Sequence, residues 1–249
     1  MIKIKTVSEI EIMRQGGQIL AQVLEHLISI SVVGTSADLL NDLAEKIILQ
    51  FGGQPSFKGF NGYPYSICVS TNREIVHGLP LTNKIFKAGD LVSIDVGLLY
   101  KGFHTDAAKS FIIGQPQSKN DVKLIKITES SLMKAVEAIR DGVLLGEISH
   151  LVENYVTKNG FKIVKNLSGH GIGEDLQEDP PVFNFGRKNQ GPRLKKGMVL
   201  AIEPMVVAGS PINFTLADGW TVATRDGKKA AHFEHTVAVL EKGRQILTR

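Results

Sequence analysis

Four acidic residues stand where acids are costly. Asp95 closes the apolar run 91–94, and Asp106 opens the run 107–113. Glu203 closes the run 199–202, and Glu234 interrupts A-A-H-F-E-H-T-V-A-V at 230–239. Such runs read as buried strands, and a buried carboxylate without a partner costs several kcal/mol. A hairpin turning at Tyr100-Lys101 would set Asp95 directly opposite Asp106, with Cβ atoms roughly 5 Å apart. Like charges so opposed need a cation between them, a proton on one acid, or an arginine brought from elsewhere. His170, in the glycine-rich loop 169–173, lies ahead of the second acid-bearing strand and is placed to reach the same centre. One divalent ion would leave four carboxylates strongly negative, whereas two would balance them. Oxygen ligands with one imidazole suit Mn²⁺, Fe²⁺, Co²⁺ or Zn²⁺. Two such ions would sit about 3.5–4 Å apart and activate a water, so metal-assisted hydrolysis is the expected reaction class.

The elements that deliver these acids occur twice. K-A-G-D-L-V-S-I-D at 87–95 matches K-K-G-M-V-L-A-I-E at 195–203, an offset of 108 positions. Gly52 matches Gly160, and the helical stretch from Ser36 matches that from Leu144. Asp106 and Glu234 are expected to correspond as well. Ser8 and Glu11 form a capping-box pattern ahead of Ile12, Ile19, Val23 and Leu27. Gly16 and Gly17 weaken that helix or admit a close neighbour. Ser36 caps a helix with Leu39, Leu40, Leu43, Ile47 and Ile48 on its apolar face. Segment 66–70 is a strand holding Cys68, and 72–80 a loop holding His77. Segment 114–120, with Pro116, joins the halves. Ser118 or Asn120 caps a helix burying Leu124, Ile127, Leu132, Val136 and Ile139. A fourth helix spans 145–159, capped by Gly160, and a strand follows over 161–166. Segment 180–192 is irregular. Strands around Trp220 and Thr236 are joined by an Asp226-Gly227 hairpin turn. The expectation is one α+β domain, 1–249, with half-repeats at about 8–113 and 118–240. Its helices pack over one face of a curved, largely antiparallel sheet.

Composition narrows the setting. Hydrophobic residues make up 43% of the 249, enough for a large core, and the net charge of +4 is scattered. The basic segment Arg187, Lys188, Arg193, Lys195, Lys196 is read as a solvated loop rather than a nucleic-acid or ribosomal contact. The single cysteine, Cys68, forbids an intrachain disulfide and fits a reducing compartment. There is neither a signal-peptide core nor an apolar run of membrane-spanning length, so the cytoplasm is the expected location.

The residues then match a known family. The chain resembles the bacterial, single-domain type I methionine aminopeptidases, which have the pita-bread fold. The resemblance covers nearly the whole chain. It rests on G-Y-P-Y-S-I-C-V-S-T-N (62–72), V-H-G-L-P (76–80), I-D-V-G (94–97), G-F-H-T-D (102–106), G-H-G-I-G (169–173), A-I-E-P-M (201–205), D-G-W (218–220) and F-E-H-T (233–236). It implies a dinuclear centre with Asp95 on one ion, His170 and Glu203 on the other, and Asp106 and Glu234 bridging. Glu203 would carry the proton, His77 would bind near the scissile amide, and Tyr63, Cys68 and Trp220 would line the methionine pocket. His104, His232 and His235 are read as structural or surface. The implied activity is removal of initiator methionine from nascent proteins by a cytoplasmic monomer, with the ribosome as a further partner. No membrane and no specific nucleic acid are implied, and small second residues are expected in substrates. Four positions depart from the family. Gln177 stands where a histidine is usual, Leu176 and Phe60 replace aromatic residues around the pocket, and Thr105 replaces a glycine. Two alternatives remain: an X-Pro-type pita-bread peptidase, or a low-activity or non-catalytic peptide-binding relative, given Gln177.

Overall fold

The computed structural model describes residues 1–249. The first part of the chain forms α1 (Val7–Ile30), α2 (Ala37–Gln50), β1 (Gln54–Pro55), β2 (Ile67–Thr71), β3 (Glu74–Val76), β4 (Leu91–Tyr100) and β5 (Phe103–Ile112). There follow α3 (Lys119–Ala138), α4 (Leu145–Lys158), β6 (Lys162–Ile163), β7 (Gly169–Gly171), β8 (Glu178–Val182), β9 (Val199–Ile202) and β10 (Met205–Val207). The chain ends with β11 (Asn213–Thr215), β12 (Val222–Thr224), β13 (Ala230–His232), β14 (Glu234–Leu240) and β15 (Gly243–Ile246).

The offset of 108 holds in detail. α2 and α4 are both 14 residues long and begin and end at matching positions. Isolated bridges Ser36–Ile85 and Leu144–Arg193 anchor the two helix starts at matching positions too. Gly89 and Gly197 turn the chain into β4 and β9 with φ of 83° and 90°, a conformation that only glycine adopts at no cost.

One nine-stranded sheet links the halves in the order β1-β4-β5-β14-β9-β7-β8, with β2 added to β4 and β15 to β14. Every pairing is antiparallel. Val92, Ile94, Val96 and Leu98 of β4 pack on Leu20, Leu27, Leu40 and Ile48 of α1 and α2. Leu200 and Ile202 of β9 pack with Leu124, Val136, Ile148 and Val152 of α3 and α4. Side chains alternate along a strand, so Asp95 and Glu203 point to the face away from the helices. The helix-on-curved-sheet expectation therefore stands as a pita-bread fold.

Several local expectations differ. The capping box that forms is Thr6 with Glu9, not Ser8 with Glu11. Both fit the S/T-x-x-E spacing, and the earlier one buries Ile10, Met13, Leu20, Val23, Leu24 and Leu27 on one face. Gly17 serves close packing, since a Cβ there would lie 2.3 Å from the Leu247 carbonyl oxygen. Ser36 makes no capping hydrogen bond, and Leu39 is exposed. Segment 72–80 contains β3, and the strand at 161–166 shrinks to β6. β8 holds Pro180 and Pro181, which the sheet's edge accommodates because a missing N–H there breaks no central ladder. The Asp226-Gly227 turn joins no hairpin. β12 pairs with β11 and β3, whereas β13 pairs with β10, so the chain passes between two small sheets there.

Candidate active site

The first acids are set by the β4–β5 hairpin. Its turn is Lys101-Gly102, both left-handed with φ of 49° and 87°, one position later than expected. A two-residue turn of this hand matches strand twist, and Gly102 favours it. The register therefore shifts. Asp95 faces Ala108 and Asp106 faces Gly97, so the acids are diagonal rather than directly opposed. They share one sheet face. The buried Thr105 leaves the ladder regular on both sides of Asp106.

β14 brings in the other half. Glu234 faces Ala108 of β5, and His235 faces Ile202 of β9. Ile202 matches Ile94, which faces Lys109. By register, then, His235 corresponds to Lys109, and Glu234 to Ala108. Asp106 is not its symmetry mate but lies two residues away on the same face.

His170 lies in a strand, not a loop. Cβ atoms at Gly169 and Gly171 would sit 2.3 and 2.2 Å from the carbonyl oxygens of Ala201 and Asp179. These glycines let strands pack closely rather than shape a flexible loop. The His170 Nδ1–H donates to the Gly171 carbonyl at 2.8 Å. That tautomer turns the Nε2 lone pair toward the acids, 3.7 Å from Glu203 Oε1.

The centre is buried and short of positive charge. Asp95 Oδ1, Asp106 Oδ1 and Glu234 Oε1 have no hydrogen-bond partner. No lysine or arginine pairs with any of the four acids. The arginine alternative therefore fails. Ligand atoms of Asp106, His170 and Glu234 lie within 4.8 Å of one another, as do those of Glu203, His232 and Glu234. Burial raises Asp95 to about 6 and Glu203 to about 7. Burial first, and neighbouring carboxylates second, push Asp106 and Glu234 well above the usual range. Protons or divalent cations must relieve this crowding. The donor set of carboxylate oxygens with an imidazole fits a hard or borderline divalent metal.

A cavity of about 370 Å³ opens over these acids, lined also by Phe60, Tyr63, His77, Gln177 and Trp220. Leu176 and Cys68 complete its apolar wall. Cys68 sits opposite Asp95 across the β2–β4 pair, and burial raises its thiol pKa, keeping it neutral. Tyr63 meets Trp220 edge-on, with centroids 5.1 Å apart, and its hydroxyl donates to the Ile67 carbonyl. Asp218 accepts from the Trp220 and Thr221 amides, fixing the indole at the pocket rim. His77 and Trp220 arrive together because β3 pairs with β12. His77 is held at φ 57°, a costly backbone for a non-glycine residue. Burial lowers its imidazole to about 4, so it is neutral at neutral pH.

Of the histidines read as structural, His104 bonds Ser56 and His235 bonds Thr248. His232 departs from that reading. It is 2% exposed, and its unpartnered Nε2 lies 3.4 Å from Glu203 Oε2. Its position two residues before Glu234 in an extended run was the available signal.

The sequence pattern of metallopeptidase family M24 matches residues 11–241. A methionine aminopeptidase 1 from Bacillus subtilis is 49% identical over 249 residues, covering 100% of both chains. The crystal structure of a methionine aminopeptidase from Thermotoga maritima superposes with a TM-score of 0.98 at 43% identity, covering 100% of each chain. A prolidase from Pyrococcus horikoshii shares the fold alone, with a TM-score of 0.79 at 22% identity over 99% of this chain and 63% of its own.

Proposed function

Since this chain belongs to metallopeptidase family M24, we propose a division of labour among the residues of the cavity. The chain is a metallo-exopeptidase that removes N-terminal methionine from peptides. Within it, Asp95, Asp106, His170, Glu203 and Glu234 would hold two divalent ions. The crowding of four buried or nearly buried carboxylates supports two ions over one. When bound, the ions supply Lewis-acid polarisation of the first peptide carbonyl and a nucleophilic water at neutral pH.

Glu203 takes the proton of the attacking water and returns it to the leaving amine. His77, neutral and buried at the cavity wall, hydrogen-bonds beside the scissile amide. Gln177 donates an amide N–H to the substrate backbone, where an imidazolium would donate more strongly. Tyr63, Cys68 and Trp220 hold the methionine side chain, whose polarisable thioether packs well on sulfur and aromatic rings. Residues 1–249 act as one catalytic domain. In the cell the substrates are nascent chains with small second residues, met in the cytoplasm by a monomer near the ribosome. The metal is Mn²⁺, Fe²⁺, Co²⁺ or Zn²⁺.

The observation that carries this reading is the convergence of unpartnered carboxylate oxygens and the His170 Nε2 beneath the Tyr63–Cys68–Trp220 wall. The test uses metal-stripped protein with each ion added back, and Met-Ala-Ser against Ala-Pro-Ala. Metal-dependent release of methionine alone is expected. Alanine release from Ala-Pro-Ala, or no release from either peptide with metal bound, overturns the reading.

A further inference from the structure

Glu203 is bracketed by two imidazoles. His170 Nε2 lies 3.7 Å from Oε1 and His232 Nε2 lies 3.4 Å from Oε2. The two rings arrive from different sheets. His170 comes from β7 in the main sheet, and His232 from β13 in the small sheet with β10. The His232 backbone is clamped, since its N–H donates to Ser110 Oγ at 2.9 Å and its carbonyl accepts from the same hydroxyl at 2.8 Å. It also faces Met205, two residues beyond Glu203. The ring is fully enclosed, yet its Nε2 has no partner. An orphaned donor in such a place costs about 1–3 kcal/mol unless it is used. Glu203 needs fixing because it lies just past the end of β9, beyond the ladder that holds Ile202 opposite His235.

We propose that His232 is a positioning residue for Glu203: its Nε2–H donates to Oε2 and turns Oε1 toward the His170 side of the centre. This rests on the role given above to Glu203 as ligand and proton carrier. His170 and His232 then differ by tautomer. His170 spends its N–H on the Gly171 carbonyl and presents a lone pair, whereas His232 presents an N–H. A carboxylate held in this way keeps one oxygen in a constant place through proton transfer. Outer hydrogen-bond partners of metal ligands typically contribute roughly 10–100-fold in affinity or rate.

The test compares His232→Leu, which fills the space without a donor, with His232→Gln, which restores one. Binding of Mn²⁺ to the stripped proteins is measured by calorimetry, and kcat and KM are measured on Met-Ala-Ser. His232→Leu is expected to lose roughly 10–100-fold in kcat or in Mn²⁺ affinity, with KM within about twofold. His232→Gln is expected to recover most of that loss. Two results overturn the proposal: both variants within about twofold of the parent in every parameter, or equal losses in both. Activity of the parent protein on Met-Ala-Ser tests the underlying reading separately, so the two failures are distinguishable.

Discussion

The two halves share a scaffold and differ at the strand end that carries the acid. In the first half, β4 is ten residues long and Asp95 sits in mid-ladder, with Cys68 on one side and Ala108 on the other. In the second half, β9 is four residues long and Glu203 lies beyond it, followed by Pro204. There the Glu203 carbonyl accepts from the Asn184 side-chain amide at 2.9 Å instead of joining a ladder. The first half thus supplies a rigid carboxylate and most of the apolar wall. The second supplies a longer carboxylate, outside the ladder and between two imidazoles. The proposed ligand role of Asp95 asks for a constant position, whereas the proton carrier proposed at Glu203 must accept and release charge. The repeat gives the two acids the same address, and the local end of the strand separates their surroundings.

The largest expected effect comes from changing both acids in turn. Glu203→Gln should lower kcat by roughly 10²–10⁴-fold even at saturating metal. Asp95→Asn should weaken metal binding first, and added metal should recover part of its activity. Titration of each variant with Mn²⁺, followed by turnover, checks this. Equal recovery in both would erase the distinction between the halves.

His77 belongs to the first half and lines the cavity, where the proposed reading sets it beside the scissile amide rather than among the ligands. His77→Ala should lower kcat on the order of 10²-fold, the usual loss for one donor in an enclosed site. Metal content by elemental analysis should stay unchanged. Parallel loss of metal and turnover would place His77 with the ligands instead.

Gln177 is the second half's departure at the pocket. Gln177→His should raise kcat/KM about fivefold, corresponding to roughly 1 kcal/mol for a stronger, charge-assisted donor. An unchanged or lower rate would mean that the amide already makes the contact in full.

A smaller effect is expected in the pH dependence of the stripped protein. Asp95 and Glu203 lie at about 6 and about 7 when folded, above their unfolded values near 4. The folded form therefore holds protons that the unfolded form has released. That contribution to stability is full below about pH 4 and is lost as pH rises through about 6–7. The melting temperature of stripped protein should fall from pH 5 to pH 8, and divalent metal should reduce the fall. Identical slopes with and without metal would show that the site does not dominate.

The sequence alone determined a good deal. The offset of 108, the matched helices, the glycine turns and the acids at the ends of apolar runs are local patterns, and local patterns persist in the fold. α2 and α4 show this most directly, because helix periodicity and glycine stops act over a few residues. The main acids were legible for the same reason, since charge inside an apolar run conflicts with burial wherever the run folds, and His170 was legible from its place in a glycine-rich stretch ahead of the second acid-bearing strand. Tertiary structure decided the rest. The Lys101-Gly102 turn came one position later than expected and so moved the pairing by two residues, making Asp95 and Asp106 diagonal, and two plausible turns lay side by side in the sequence. The glycines around His170 proved to be strand positions, because only the approach of Ala201 and Asp179 forbids a Cβ there. His232 showed no role until β13 carried it against Glu203 from a different sheet. Its chemistry depends on which atoms surround a buried nitrogen, and those neighbours are set by pairings between residues far apart in the chain.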